Sequence, residues 1–404
     1  MLRYLTAGES HGKGLTAVVE GMPSGLSLSE ESVNADLARR QVGYGRGGRM
    51  AIEKDRVEIT AGVRHGVTLG SPIAMTVRNR DWENWRVAMA VGGVGDADEE
   101  QLRRVTRPRP GHADLAGAMK YATADVRNIL ERSSARETAA RVAVGAAAKA
   151  LVRRFGMDVV SWVVEIGGVR WEARRARSPH ALYRAAERSD VRCPDRAVSA
   201  LMRRRIDEAR EAGDSLGGAF EVVVTGVPPG LGSHVHWDRR LDGRLAQALM
   251  SVQATKAVEV GMGFAVSSTP GSKVHDEIFF SARRAGRGDG YWPVGRGYYR
   301  RTNNAGGIEG GMTNGEPIVL RAAMKPIPTL YRPLRSVDMA TKRPFKASIE
   351  RSDTCAVAAA AVVAEAAAAF TVACAFLEKF GGDSVEEIDY NYRGYLDRIV
   401  RDFS

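Results

Sequence analysis

The sequence predicts an α+β fold: a layered β-α-β sandwich with Ala-rich central helices between antiparallel sheets. Three observations carry this expectation. Two alanine-rich stretches, 134–155 and 353–380, each follow a Glu-Arg-Ser and close on Phe-Gly. Small side chains let helix backbones approach, which suits the middle of a layered core. Runs rich in Val and Ile are separated by short Gly-Pro turns, as in antiparallel sheets. The two halves of the chain also repeat one another in order, the mark of an internal duplication.

Taken along the chain, residues 15–20, 57–63 and 72–78 are the first strands, with a helix over 29–41 between the first two. Ser27 or Ser29 caps that helix, and Val33 and Leu37 share one face. The long helix 134–155 follows and stops at Phe155-Gly156. Strands 158–166, 219–225 and 317–323 flank a charged, helix-prone peripheral lobe at about 167–215. The last helix, 353–380, stops at Gly381-Gly382. Its Cys355–Phe376 portion contains one charge, Glu365, and is long enough to span a bilayer. Its alanine content and charged flanks point instead to a buried helix.

The repeats pair VVEGMPSGL (18–26) with VVTGVPPGL (223–231). They pair Gly62…GVTLGSPI (66–73) with Gly307…GMTNGEPI (311–318), and ERS at 131–133 with ERS at 350–352. The expected architecture is one domain over 1–404, with pseudo-repeats at about 10–156 and 218–381 and a tail at 382–404.

Composition bounds the function. The chain has 404 residues, 44% hydrophobic, with 59 Lys+Arg against 48 Asp+Glu and a net charge of +11. Such a protein attracts anions: nucleic acid, anionic lipid or phosphorylated metabolites. Cys193, Cys355 and Cys374 stand far apart, so neither a disulfide framework nor a zinc site is expected, and a reducing compartment fits. The first residues, MLRYLTAGESHGKG, lack the apolar run of a secretory leader.

Five segments could carry chemistry. GESHGKG (8–14) half-resembles a phosphate-binding P-loop, but its spacing is one residue short and no Ser or Thr follows the lysine. What remains is His11 between glycines, either a plain turn or a ligand loop. RRQVGYGRGGR (39–49) formally contains GxGxxG, yet a helix precedes it rather than a strand. Its arginines suit phosphate and carboxylate capture, or a merely solvated basic loop. In TRPRPGHAD (106–114) two prolines stiffen the segment bearing His112, as a proton-transfer group needs; an incidental histidine fits as well. The two ERS segments are expected at helix N-termini. Arg132, Ser133 and Ser134 lie at one, and Arg351, Ser352 and Asp353 at the other, where free N–H groups bind anions or simply take a cap. MKPIPT (324–329) offers a lysine on a stiffened strand end. His65, His180, His234, His236 and His275 show no metal-ligand spacing, and no metal is expected.

Together these segments resemble the chorismate synthase family, from Tyr4 to about Phe380. The resemblance rests on RYLTAGESHG (3–12), ARRQVGYGRGGRM (38–50), RPRPGHADL (107–115) and ERSSARETAARVA (131–143). It continues through GGIEGGMTNGEPI (306–318), MKPIPTLYRPL (324–334) and ERSDTCAV (350–357). It implies a 1,4-anti elimination of phosphate from 5-enolpyruvylshikimate 3-phosphate, giving chorismate in aromatic amino acid biosynthesis, with reduced FMN and no net redox change. By the same resemblance His11 protonates the leaving phosphate, His112 helps keep the flavin reduced and anionic, and Asp353 works with the flavin to remove the C6 proton. Substrate contacts carried over are Ser10, Arg40, Arg46, Arg107, Ser134, Arg136 and Arg351. Flavin contacts carried over are Arg132, Ser133, Ser134, Gln253, Ala254, Gly310, Lys325, Pro326, Ile327, Pro328, Thr329 and Arg351.

The resemblance further implies a cytoplasmic homotetramer acting on a small molecule, with no nucleic-acid or membrane partner. NADPH enters only as a source of flavin reduction, and the lack of a long additional insertion favours flavin reduced by another system. Ala358 stands where the family usually has proline. Residues 281–301, rich in Arg and Gly, are expected as an inserted surface loop, and the 382–404 tail at an oligomer surface. Two other classes are distinguishable. A basic RNA-binding protein would interleave aromatics with arginines on a sheet face. An FMN enzyme with real redox chemistry would consume NAD(P)H.

Overall fold

The computed structural model describes residues 1–47, 54–172, 178–281, 297–348 and 353–403. The first half runs β1 (Arg3–Ala7), β2 (Gly14–Glu20), α1 (Glu30–Gln41), β3 (Val57–Ala61), β4 (Val63–Arg64), β5 (Val67–Thr68) and β6 (Ile73–Arg78). Then come the helices α2 (Asp114–Lys120), α3 (Arg127–Ser133) and α4 (Thr138–Arg154). The second half runs β7 (Asp158–Ile166), β8 (Val169–Arg170), α5 (Pro179–Glu187), α6 (Arg196–Glu211), β9 (Gly218–Thr225), α7 (Leu241–Met250) and β10 (Thr255–Val260). Short strands follow, β11 (Ile278–Phe280), β12 (Tyr298–Arg300), β13 (Ile308–Glu309) and β14 (Met312–Thr313). The chain closes with β15 (Ile318–Met324), β16 (Arg335–Val337), β17 (Pro344–Lys346), α8 (Val357–Phe380) and α9 (Val385–Phe403).

The fold is α+β, and every named strand pair is antiparallel. One sheet has the order β1-β2-β6-β3, the other β8-β7-β9-β15-β10. Strand for strand, β1-β2-β6-β3 and β7-β9-β15-β10 have the same connections, each with one helix (α1 or α7) between its second strand and its last-placed edge strand. Helix α4 packs on β2 and β6, α8 packs on β7 and β9, and the two helices pack on each other. Gly145 in α4 faces Ala366 in α8 so closely that a Cβ there would lie 2.2 Å from the alanine methyl. Small residues thus set the approach, as the alanine content predicts.

The turns repeat as well. The Thr68 hydroxyl donates to Pro23 O at 2.6 Å and accepts from Leu26 N at 3.0 Å. The Thr313 hydroxyl donates to Pro228 O at 2.7 Å and accepts from Leu231 N at 2.8 Å.

Helix α1 starts where expected, with Ser29 as a capping-box N-cap. The ERS expectation is corrected. Glu131-Arg132-Ser133 ends α3 rather than opening a helix, and the Ser133 hydroxyl donates back to Ile129 O at 2.9 Å. Ser134 caps only a single 3₁₀ turn before α4. Glu350, Arg351 and Ser352 lie outside the described residues. Helix α8 begins at Val357 with Ala358 in its first turn, so Asp353 is not its cap. The peripheral lobe is helical, and Ser199, Met202, Ile206 and Ala209 of α6 give it the buried stripe that its charge obscured. One face of the tail packs on its own chain, where Tyr392 of α9 meets Phe155, Phe376 and Phe380. Residues 282–296 of the arginine-rich loop lie outside the described residues; its ends pair as β11 and β12.

Helix α8 is long and apolar enough to cross a membrane, yet 78% of its most apolar window is buried within the protein. The one charge in its alanine-rich part, Glu365, is what holds it. Glu365 is fully buried, with Arg39 of α1 donating to its two oxygens at 2.8 and 2.9 Å. Lys149 of α4 bonds Oε1, and Ser161 of β7 donates to Oε2 at 2.8 Å. Asp36 takes further bonds from Lys149 and Arg39. Burial alone would raise the Glu365 carboxyl; Lys149 and Arg39 overcome that and hold it far below its ordinary value of 4.5.

Glu365→Ala removes the buried partner that Lys149 and Arg39 share and lowers stability by about 3–5 kcal/mol, read as a fall in the urea midpoint. A Glu365 carboxyl depressed on folding contributes stability that is complete above its unfolded value near 4.5. That stability is lost as pH falls, so wild type loses urea resistance steeply below about pH 5, and Glu365→Gln loses less.

Candidate active site

A cavity of about 1060 Å³ opens beside the ends of both sheets. It takes in the β1–β2 turn, the segment after α1, the end of α3, the turn before β10, the strand end after β15, and the start of α8. Among the described residues seven arginines and one lysine line it, against two aspartates. That excess of cations, with Val252, Met324, Ala356, Ala359 and Val363 as an apolar wall, defines its ligand as flat or apolar in part and multiply anionic.

One cluster of cavity cations is Arg40, Arg46 and Arg136. Arg40 Nη2 reaches Asp55 Oδ2 at 3.3 Å, and Arg136 Nη1 bonds Asp55 Oδ1. Arg46 Nη1 pairs with Asp353 Oδ2 at 3.1 Å, while the Gly47 amide donates to Asp353 Oδ1 at 2.7 Å. Burial pulls the Arg40 guanidinium down to about 10, with Arg136 and Arg46 adding to the effect and Asp55 opposing it. Together these guanidiniums offer an anionic ligand charge-assisted donors. Asn79 ties this cluster to the histidine turn: its Oδ1 accepts from Arg136 Nε at 2.9 Å, and its amide donates to Gly12 O at 2.8 Å and Glu9 O at 3.1 Å.

His11 is fixed by Glu131. The imidazole Nδ1 lies 2.8 Å from Glu131 Oε1, and the His11 amide donates to Oε2 at 2.7 Å. Burial works to raise the Glu131 carboxyl, but His11 and Arg127 outweigh it and hold the group ionised below its ordinary value. A carboxylate on Nδ1 selects the tautomer that leaves Nε2 for a ligand. Ser10 faces the same space, its hydroxyl bonded to Ser134 Oγ at 3.1 Å.

His112 stands on the proline-stiffened segment, bonded through Nδ1 to buried Asp114. Arg109 donates to both Asp114 oxygens, at 2.9 and 3.2 Å, and to Thr329 Oγ1 at 3.1 Å. Despite burial, the bonds from His112 and Arg109 drive the Asp114 carboxyl far down.

The residues expected at a flavin form one wall. Gln253, Ala254, Lys325, Ile327, Pro328 and Thr329 line the cavity with Ser133 and Ser134. Gln253 Nε2 donates to Glu137 at 3.0 Å, while its Oε1 is buried with no partner among the described residues, an acceptor open to a ligand N–H. These residues fit a flavin: an apolar face, an amide acceptor and a lysine.

Of the expected contacts, Ser10, His11, Arg40, Arg46, His112, Arg136 and Asp353 converge here. Arg107, Arg132, Gly310 and Pro326 are outside the cavity lining. Arg107 stacks on Phe345 at 3.5 Å and pairs with Asp338 at 3.6 Å. Arg132 donates to Thr6 O at 2.7 Å and Gly8 O at 3.1 Å, which brings the β1 end onto α3. Gly310 sits in the β13–β14 turn at φ +57. Arg351 lies outside the described residues. Sequence reading missed Asp55, Asn79, Trp85, Arg103, Glu131 and Asp114 as site residues. The GHAD motif contained Asp114, and Arg127 lies four residues before Glu131 on a helix, so those two were within reach of spacing arguments.

A sequence model of the chorismate synthase family matches residues 2–377. The chain is 63% identical over 399 residues to a protein named chorismate synthase from Pelobacter propionicus, covering 99% of each. It is 60% identical over 399 residues to one from Geobacter metallireducens, again with 99% of each chain covered. A crystal structure of chorismate synthase superposes with a TM-score of 0.77 at 44% identity, over 99% of this chain and 98% of that one.

The cation surplus gives a direct test. Inorganic phosphate raises the unfolding temperature of wild type, and Arg40→Gln weakens phosphate binding at least about tenfold, the loss of one charge-assisted bond of about 1.5–3 kcal/mol. Equal calorimetric affinities for the two proteins would contradict the assignment.

Proposed function

The chain belongs to the chorismate synthase family, and from that membership we propose that it eliminates phosphate in a 1,4-anti sense from 5-enolpyruvylshikimate 3-phosphate, giving chorismate with reduced FMN and no net redox change. As a family member it is a carbon–oxygen lyase of aromatic biosynthesis acting on a small molecule. The observation that carries the finer reading is the cationic lining of the cavity, seven arginines and one lysine against two aspartates among the described residues, with His11 beside them. A substrate with one phosphate and two carboxylates matches that cationic lining.

His11 donates from Nε2 to the leaving phosphate, whose developing charge an imidazolium both neutralises and protonates. Glu131 keeps its Nδ1 occupied meanwhile. When bound, reduced FMN supplies electron density to the breaking C–O bond and a basic nitrogen for the C6 proton. Gln253, Ala254, Lys325 and the 327–329 strip would hold it, with His112 beside it, braced by Asp114 and Arg109. Asp353 shares in moving the C6 proton. The pairing with Arg46 and the Gly47 amide holds its carboxylate in place at the cavity.

The same reading includes a layered sandwich formed by duplication as a single domain, supported by the matched sheet orders and the paired Thr68 and Thr313 turns. It includes a cytoplasmic homotetramer, which rests on the family membership alone. Flavin reduced by another system, with NADPH only as an upstream reductant, completes it.

His11→Ala abolishes phosphate release in anaerobic single turnovers, by at least about 100-fold, while FMN still binds. Asp353→Asn slows the same turnovers with substrate affinity retained. Wild-type rates in either variant would refute that residue's role.

A further inference from the structure

Trp85 is the large apolar side chain of the cavity that no step above uses. It lies on the 3₁₀ segment Arg80–Trp85, far in sequence from every motif, and it is buried. Its indole stacks on the His11 imidazole, with ring centroids 3.9 Å apart and planes 26° from parallel. The indole is itself held. Its Nε1 donates to Asp81 Oδ2 at 3.0 Å, which fixes its rotation. The Arg127 guanidinium packs on it at 4.9 Å and that of Arg103 at 4.2 Å, both within cation–π range. Arg127 also donates from Nε to Arg103 O at 3.0 Å, bracing a residue whose backbone is left-handed, with φ +50.

The contacts close on themselves. His11 stacks on Trp85, Trp85 carries Arg127, Arg127 Nη1 reaches Glu131 Oε1 at 3.3 Å, and Glu131 holds both the ring and the amide of His11. A carboxylate in the ring plane fixes one nitrogen but leaves the ring free to swing about that bond. A stacked aromatic fixes the plane but leaves in-plane rotation free. Each member removes the motion that the other permits. We propose that Trp85 is a positioning residue that, with Glu131, clamps His11 in a single tautomer and a single plane, aiming Nε2 into the cavity. The proposal rests on the role given to His11 above, but the clamp itself is a property of the protein without ligand.

The test uses full-length protein labelled with ¹⁵N-histidine, with two-bond ¹H–¹⁵N spectra at alkaline pH, where the imidazoles are neutral. The chain has 7 histidines, and a His11→Gln spectrum assigns the signal. Wild type shows His11 in the Nδ1–H form alone. Trp85→Leu shows both tautomers, and its kcat falls about tenfold or more with KM changed less than about twofold, because aim is lost and binding is kept. Trp85→Phe, which restores a stacking ring, keeps one tautomer and most of kcat. Where Trp85→Leu fails a thermal-unfolding check, Trp85→Met takes its place. A mixed or Nε2–H signal in wild type overturns the proposal, and so does a folded Leu or Met variant with unchanged spectrum and kcat. Absence of product from wild type with His11 still in the Nδ1–H form would overturn the assigned reaction and leave the clamp supported.

Discussion

Arg39 and Arg40 stand side by side near the end of α1, Arg39 partly and Arg40 fully buried, and their charges are balanced differently. Arg39 meets Glu365, Asp36 and Glu187, and burial, which would lower its guanidinium, is overcome so that it is raised. Arg40 shares Asp55 with Arg136 and is lowered by burial to about 10. One helix end thus fastens α1 to the core helices and also delivers a buried cation to the cavity. A buried guanidinium gains from an anion beside it, so an anionic ligand would strengthen the site's electrostatics.

The arrangement of acids follows from this. Carboxylates in and just behind the cavity hold particular partners in place. Asp55 holds two arginines, Glu131 holds His11, Asp114 holds His112, and Asp353 holds Arg46 and the Gly47 amide. None adds loose negative charge that would repel a phosphorylated dicarboxylate. The pocket draws on both halves. Ser10, His11, Arg40, Arg46 and Arg136 come from the first, and Gln253, Lys325, Thr329 and Asp353 from the second.

Much of this is legible in the sequence. The strands at 158–166 and 219–225 are apolar on both faces and stand out, as does Ser29 before α1. The strands β1 and β10 escape a sequence reading because edge strands alternate with polar residues, as in Thr255-Lys256-Ala257-Val258-Glu259. The ERS segments look like helix starts because Ser-rich, Ala-rich sequence gives the same local signal at the end of one helix and the start of the next; the break lies at Ser134. Histidines and arginines on glycine loops can be nominated by type. Their partners cannot, since Asp55, Trp85 and Glu365 acquire meaning only when distant segments meet. Glu365 looks like a lone charge in an apolar run and is the centre of the most buried ionic network described.

The central claim is that this cavity holds a phosphorylated substrate on its cations and releases the phosphate without consuming reducing equivalents. The most direct measurement is anaerobic: the protein with photoreduced FMN and 5-enolpyruvylshikimate 3-phosphate, followed for phosphate, chorismate and the flavin spectrum. The account predicts phosphate and chorismate in equal amounts over many turnovers, with the flavin reduced at the end and no NAD(P)H required. No product, or product formed only in proportion to NAD(P)H consumed, would contradict it.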